Sequence, residues 1–273
     1  MLALALPIGL LIGLSLGALG GGGSILTVPT LVYLFGQDPR AATTGSLLIV
    51  GVTALAGMAA HFRAGRVRVV PGLVFGVLGV SGAYVGSRLS VTVAPAILLA
   101  AFSVLMLVVA AMMVLRRHAQ LRAVTAGEVE PGLPIGPVLQ LRPTLVCDCP
   151  RVLKVVVTAS AVGLLTGFFG VGGGFVVVPA LVLALGFTMP AAVGTSLLVI
   201  AINSTSALLS RMGNGVHLDW PLIGVFTVAA IVGSFLGGRI VTRVRPERLS
   251  AAFTTLLVTV ALYTAARSFP LLV

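Results

Sequence analysis

The residues with the means to hold a ligand fall into four short stretches. "GGGGS" runs from Gly20 to Ser24 and "GVGGG" from Gly170 to Gly174, while "TGS" spans Thr44 to Ser46 and "GTS" spans Gly194 to Ser196. Glycine leaves its backbone open to close approach and tolerates positive φ. A helix that restarts just after such a run presents unpaired N–H groups and the positive end of its dipole. Donors of that kind suit a small oxyanion. The candidate backbone contacts are therefore Gly22, Gly23, Ser24, Gly172, Gly173 and Gly174. The candidate side-chain contacts are Thr44, Ser46, Thr195, Ser196 and Asn203, the last a rare amide two turns further along the same apolar segment. Two structural readings compete with this one. Glycines also let helices pack closely in a bilayer, and membrane serines and threonines commonly bond to carbonyls of their own helix.

The elements that must position these residues lie in lipid. Of 273 residues, 58% are hydrophobic and 8% charged, and the mean hydropathy is +1.19, which leaves too little polar surface for a water-soluble globule. Apolar stretches near 3–35, 40–60, 69–87, 93–115, 152–186, 190–210, 220–238 and 249–266 each reach about the 20 residues that cross a bilayer. The apolar opening resembles a signal peptide. It lacks a basic start and runs straight into the first glycine run, so it is read as part of the mature protein.

The chain is written twice. A shift of 150 positions lays Gly13, Gly17, Gly20, Gly22, Gly23, Val28 and Pro29 on Gly163, Gly167, Gly170, Gly172, Gly173, Val178 and Pro179. The register holds downstream, where "AATTGSLLIV" from Ala41 meets "AAVGTSLLVI" from Ala191. The expected organisation is a first membrane repeat over 1–115, a polar cytosolic linker over 116–151 and a second repeat over 152–273. As one straight helix, residues 3–34 would measure about 48 Å, against a hydrocarbon core of about 30 Å. A break at the glycines gives two half-helices instead, with the restart expected at Ser24 or Gly174 and Pro29 and Pro179 about one turn beyond it.

If each break makes a hairpin, the copies have opposite topology; if it continues across, they are parallel. With inversion, all lysines and arginines except Arg40, Arg88, Arg211 and Arg267 fall on the linker side, 13 against 4. The parallel arrangement moves Arg239, Arg243, Arg245 and Arg248 out and brings Arg211 and Arg267 in, giving 11 against 6. The positive-inside rule favours inversion. The fold expected is an all-α polytopic membrane protein with two inverted repeats. Each is a broken or re-entrant helical segment followed by three transmembrane helices, with both termini outside. Duplication of this sort is common among secondary transporters, whose site lies between the repeats near the bilayer midplane.

The remaining features narrow the class. The carboxylates Asp38, Glu128, Glu130, Asp148, Asp219 and Glu247 all fall in polar stretches or at span edges, so no intramembrane acid serves as a proton relay or cation ligand. The net charge of +11 is divided among short clusters between spans, which argues against a nucleic-acid partner. No nucleophile with a nearby base, no Walker lysine and no metal-ligand spacing is present, so neither catalysis, a cofactor nor a bound metal is expected. Cys147 and Cys149 form a C-x-C in the linker and read as reduced thiols. His61 and His217 are placed near opposite membrane faces as solvated side chains. Arg88 and Arg239, at matched ends of the third span of each half, read as headgroup anchors. An anion channel and a non-transporting scaffold remain as alternatives, and the sequence leaves room for a homo-oligomer.

The paired "GALGGGGSILTVPTL" and "GFFGVGGGFVVVPAL", followed by "GSLLIV" and "TSLLVI", resemble the sulfite exporter TauE/SafE family of membrane permeases. The likeness covers roughly residues 5–115 and 152–268. It implies a multi-pass protein of a prokaryotic inner membrane that exports small sulfur-containing anions such as sulfite, sulfoacetate or related sulfonates. The resemblance alone supplies the sulfur chemistry; the anion site comes from the backbone argument.

Overall fold

In a computed structural model of the chain, the described residues are 2–125, 149–170, 174–183, 185–211, 218–241, 244 and 246–268. Gly172, Gly173, Cys147, His217 and the central linker residues 126–148 lie outside them. Every element formed by the described residues is helical. The first half contributes α1 (Leu2–Leu19), α2 (Gly22–Pro29), α3 (Pro39–Arg63), α4 (Val69–Ser90) and α5 (Pro95–Thr125). The second contributes α6 (Cys149–Phe169), α7 (Gly174–Leu183), α8 (Met189–Arg211), α9 (Trp220–Ile240) and α10 (Pro246–Ser268). By length and composition, α3, α4, α5, α8, α9 and α10 can each cross a membrane, while α1, α2, α6 and α7 carry shorter apolar segments.

The breaks fall where the glycines stand, and for the expected reason. Gly20 has φ +70° and Gly170 has φ +64°, a left-handed conformation that is costly for any residue with a Cβ. A second matched pair, Gly36 and Gly186, has φ +66° at both positions and turns the chain between the half-helix and the long span that follows. Two of the long spans, α3 and α9, start with a side-chain cap. Asp38 accepts from the Arg40 and Ala41 N–H groups at 2.9 and 3.3 Å, with Pro39 opening α3. Asp219 accepts from the Leu222 N–H at 3.1 Å at the start of α9.

The first break is a hairpin. A Cβ on Gly23 would collide with the Ile12 carbonyl and stand 2.6 Å from the Leu16 Cβ, whereas residues 12 and 23 of one continuous helix would be about 16 Å apart. The chain therefore doubles back and lays α2 against α1, and α7 likewise contacts α6. Two local expectations shift. The helix restarts at Gly22 rather than Ser24, and Pro29 is the last residue of α2 rather than one turn inside it. Lacking an N–H and crowding the carbonyl four residues earlier, Pro29 hands over to a π-helical turn, Thr30–Leu34, in which the Phe35 N–H reaches the Thr30 carbonyl at 3.2 Å.

The two halves interlock. α1 of the first half packs along α9 of the second, and α6 of the second packs along α4 of the first. Both seams are closed by glycines. A methyl on Gly13 or Gly17 would strike the backbone of Ala230 or Ser234, and one on Gly163 or Gly167 would strike that of Gly79 or Ala83. With so little side chain between them, backbones approach as small-residue seams allow in lipid. The long spans α3 and α8 cross at the centre, with Gly51 against Ser204, and α5 packs on α10.

Candidate functional site

The two breaks meet. A Cβ on Gly21 would fall on the Gly174 carbonyl, and one on Gly174 would stand 2.5 Å from the Gly21 Cα. The same Gly174 position lies 3.0 Å from the Ser24 hydroxyl and 2.7 Å from Ile200 Cδ1 of α8. Ser24 is fully buried and donates to the Gly21 carbonyl at 2.7 Å. The N-cap residue of α2 is Gly21, which has no side chain to cap the first-turn N–H groups. Gly20 rests on Val193 and on Ser196, whose Oγ would stand 2.6 Å from a Cβ there, and Gly170 rests on Thr43. Each break thus sits against the start of the long span in the opposite half.

The aromatic and aliphatic surroundings hold this junction closed. Phe102 of α5 lies 5.6 Å from Phe169, just before the second break, and 5.4 Å from Phe175, just after it. One ring braces both sides of the interruption. Leu19 and Leu256 crowd Gly22 at the first break.

Of the residues chosen from sequence, Gly22, Gly23, Ser24, Gly174 and Ser196 gather at the junction, and Gly172 and Gly173 lie outside the described residues. The hydroxyls of Thr44 and Thr195, and that of Ser196 at the junction, are already bonded within the protein. Thr44 donates to the Arg40 carbonyl at 2.9 Å, and Thr195 accepts from the Arg68 N–H at 3.0 Å. Ser196 donates to the Val193 carbonyl at 2.8 Å. The bonds of Thr44 and Ser196 to carbonyls of their own helix are the local ones membrane hydroxyls commonly make, whereas that of Thr195 crosses to the start of α4 in the other half. Ser46 and Asn203 differ: both are fully buried, and the Ser46 hydroxyl and both amide atoms of Asn203 have no hydrogen-bond partner among the described residues. Asn203 faces Gly79, where a Cβ would stand 2.9 Å from Oδ1 and 3.0 Å from Nδ2. Arg88 is exposed, donates to the Tyr84 hydroxyl at 3.2 Å and lies 5.5 Å over that ring.

Two residues next to the breaks escaped the sequence reading. Arg211, counted above only as a loop charge, is 6% exposed. It spends all five N–H groups on neutral oxygens: Nε on Ser87 at 2.8 Å, Nη1 on Thr43 and Thr44 at 2.9 and 3.3 Å, and Nη2 on Ser90 and the Gly167 carbonyl, both at 2.9 Å. His61, expected to be solvated, is 2% exposed, with Nε2 2.7 Å from the Gly17 carbonyl. The signal that could have found both was the repeat itself: residues 61 and 211 differ by the same 150 positions, as do Gly17 and Gly167.

The fold and junction define a duplicated, multi-pass helical membrane protein with a broken helical segment in each half. The chain belongs to the sulfite exporter TauE/SafE family, whose profile matches residues 5–264, and this is a family of membrane transporters. A "Probable membrane transporter protein" of Xylella fastidiosa (strain 9a5c) is 34% identical over 96% of this chain and 94% of its own. The "Probable membrane transporter protein YunE" of Bacillus subtilis (strain 168) is 27% identical over 85% and 84%. "Probable membrane transporter protein MJ0441" of Methanocaldococcus jannaschii is 23% identical over 95% of both. No solved structure matches the chain.

Proposed function

We propose that this transporter exports small sulfur-containing oxyanions, sulfite or organosulfonates among them, from the cytoplasm by alternating access at the junction of its two breaks. The observation that carries the reading is the contact of Gly21 with Gly174 beside the buried Ser24 hydroxyl. It brings the uncapped start of α2 and the start of α7 to one point, where backbone donors favour negative charge. The sulfur chemistry comes from the family likeness.

The repeats are read as inverted, with the linker in the cytosol. A hairpin contributes no net crossing, so each half crosses three times, an odd number. The exchange of partners, α1 with α9 and α6 with α4, is the pattern a two-fold relation between the halves generates, and the odd number of crossings assigns its axis to the membrane plane. Rocking of one half against the other would expose the junction to each side in turn.

The test is a thermal-shift panel on detergent-solubilised protein with sulfite, sulfate, thiosulfate, methanesulfonate and acetate, followed by counterflow in proteoliposomes. Oxyanions of sulfur should stabilise the protein, and unlabelled internal sulfite should accelerate entry of labelled sulfite. Flux without such trans-stimulation would establish a channel. A protein indifferent to every anion would be a scaffold. Unchanged binding in Gly22→Leu and Ser24→Ala would move the site away from the junction.

A further inference from the structure

His61 and Arg211 are the same position in the two repeats, and each is tied to the same carbonyl: His61 Nε2 to Gly17 at 2.7 Å, Arg211 Nη2 to Gly167 at 2.9 Å. Gly17 and Gly167 each lie three residues before a left-handed glycine, Gly20 or Gly170. A cationic or titratable side chain therefore grips each hairpin one turn before its break. The grips differ in chemistry. Arginine keeps its charge at every pH the protein meets, and here its five donors are matched by five neutral oxygens. A carbonyl only accepts, so Nε2 of His61 must carry a hydrogen. That leaves Nδ1 as the titrating atom, and it is buried with no partner among the described residues.

We infer that His61 is the proton-binding residue that couples anion transport to protons: Nδ1 takes up one proton as an anion binds at the adjacent junction, and releases it as the anion leaves. The inference rests on the anion reading above. Without an anion, a proton on Nδ1 would create a buried charge whose new N–H has nothing to donate to, which is unfavourable in a low-dielectric interior. An anion at the breaks supplies the opposing charge, so each species favours the other by the same factor. Protonation also makes the two repeats alike, with a cation at each hairpin, and loss of the proton leaves only the Arg211 end charged.

The surroundings offer no rival counter-charge among the described side chains. α1 carries no ionisable residue. α9 presents Gly238 to the ring, with Nε2 3.6 Å from where its Cβ would be, and Arg239 follows it. Arg63 ends the same helix, and the Arg66 N–H bonds back to the His61 carbonyl at 3.1 Å. Asp38 and Asp219 cap the opposite ends of α3 and α9. Arg211 stands at the other repeat's hairpin, and the Glu247 side chain lies outside those described. Positive neighbours oppose a second charge on His61 until an anion arrives, which sharpens the coupling.

Sulfate tests this cleanly, since it carries no proton of its own near neutrality. In the wild type, sulfate affinity should weaken as pH rises, by up to about tenfold per pH unit, the limit set by uptake of one proton. Binding in weakly buffered detergent solution should remove close to one proton from the medium. His61→Gln, whose amide can still donate to Gly17, should abolish both the slope and the proton uptake. His118→Gln and His217→Gln should retain both. A slope that survives in His61→Gln, or wild-type binding independent of pH, overturns the coupling while leaving the anion reading standing. Failure of sulfate, thiosulfate and methanesulfonate to bind at any pH overturns both.

Discussion

Gly21 and Gly174 touch backbone to backbone where the two breaks meet, so neither position has room for a single methyl group. The contact joins elements more than 150 residues apart and is fixed by main chain, which cannot rotate aside as a side chain can. Gly21→Ala and Gly174→Ala should each lower stability by about 1–3 kcal/mol, the range for an overpacked core. Gly224→Ala is the control. It lies in α9 with nothing within 4 Å of the added carbon, so alanine should be neutral or should stabilise by up to about 1 kcal/mol. Thermal melts of the three variants in one detergent decide it; equal melting temperatures would mean that the breaks do not touch.

Arg211 leads to a less intuitive ranking. Lysine keeps the charge but offers three donors from one point, so at least two of the five bonds vanish while the buried cation stays. Arg211→Lys should cost about 2–5 kcal/mol. Methionine removes the charge, and the hydroxyls it leaves behind have other partners: Thr43 and Thr44 donate to the Arg40 carbonyl, Ser90 to that of Ser87, and Ser87 to that of Ala207. Arg211→Met should therefore be the milder change. Denaturation midpoints reversing that order would show that the charge itself holds α3, α4, α6 and α8 together.

Why were the breaks legible in sequence when the two grips on them were not? Gly20 and Gly170 announce themselves because only glycine takes a left-handed conformation without strain, and because each closes a segment too long to cross a bilayer as one straight helix. The long spans were legible from hydropathy, the hairpins from a length no bilayer could accept. His61 and Arg211 stand near the ends of spans, where most charged side chains meet water. Nothing local distinguishes Arg211 from Arg88, which is indeed exposed. The difference arises from Ser87, Ser90, Thr43 and Thr44, contributed by two other helices, and such convergence has no signature within a single segment. The hydroxyls of Thr44 and Thr195 were singled out for a shared role because they lie in matching motifs. The structure sends one to Arg211 and the other to the Arg68 N–H.

Topology offers an independent check. In the inverted arrangement, Ala64 after α3 faces the cytosol, while Thr92 after α4 and Trp220 at the start of α9 face outward; all three are exposed. With Cys147 and Cys149 replaced, single cysteines at these positions should react with a membrane-impermeant maleimide in intact cells at 92 and 220 and be protected at 64. Position 220 discriminates, because parallel copies would place it on the same side as 64.

Asn203 separates a binding role from a packing role. Its side chain is fully buried and neither amide atom has a partner among the described residues, an arrangement that costs about 1–3 kcal/mol in a protein interior. Leucine has the same branched shape and number of side-chain heavy atoms without the polar ones, its bulkier methyl ends facing the side-chain-free Gly79. If the amide serves only the fold, Asn203→Leu should change little else while raising stability. If it meets an anion during transport, the same substitution should raise the melting temperature and lower sulfite counterflow by about tenfold or more, the loss of one hydrogen bond to a charged group. We expect the second outcome, since a buried amide in a membrane span is kept at a cost to the fold. Counterflow at the wild-type rate in a stabilised Asn203→Leu protein would remove Asn203 from the site.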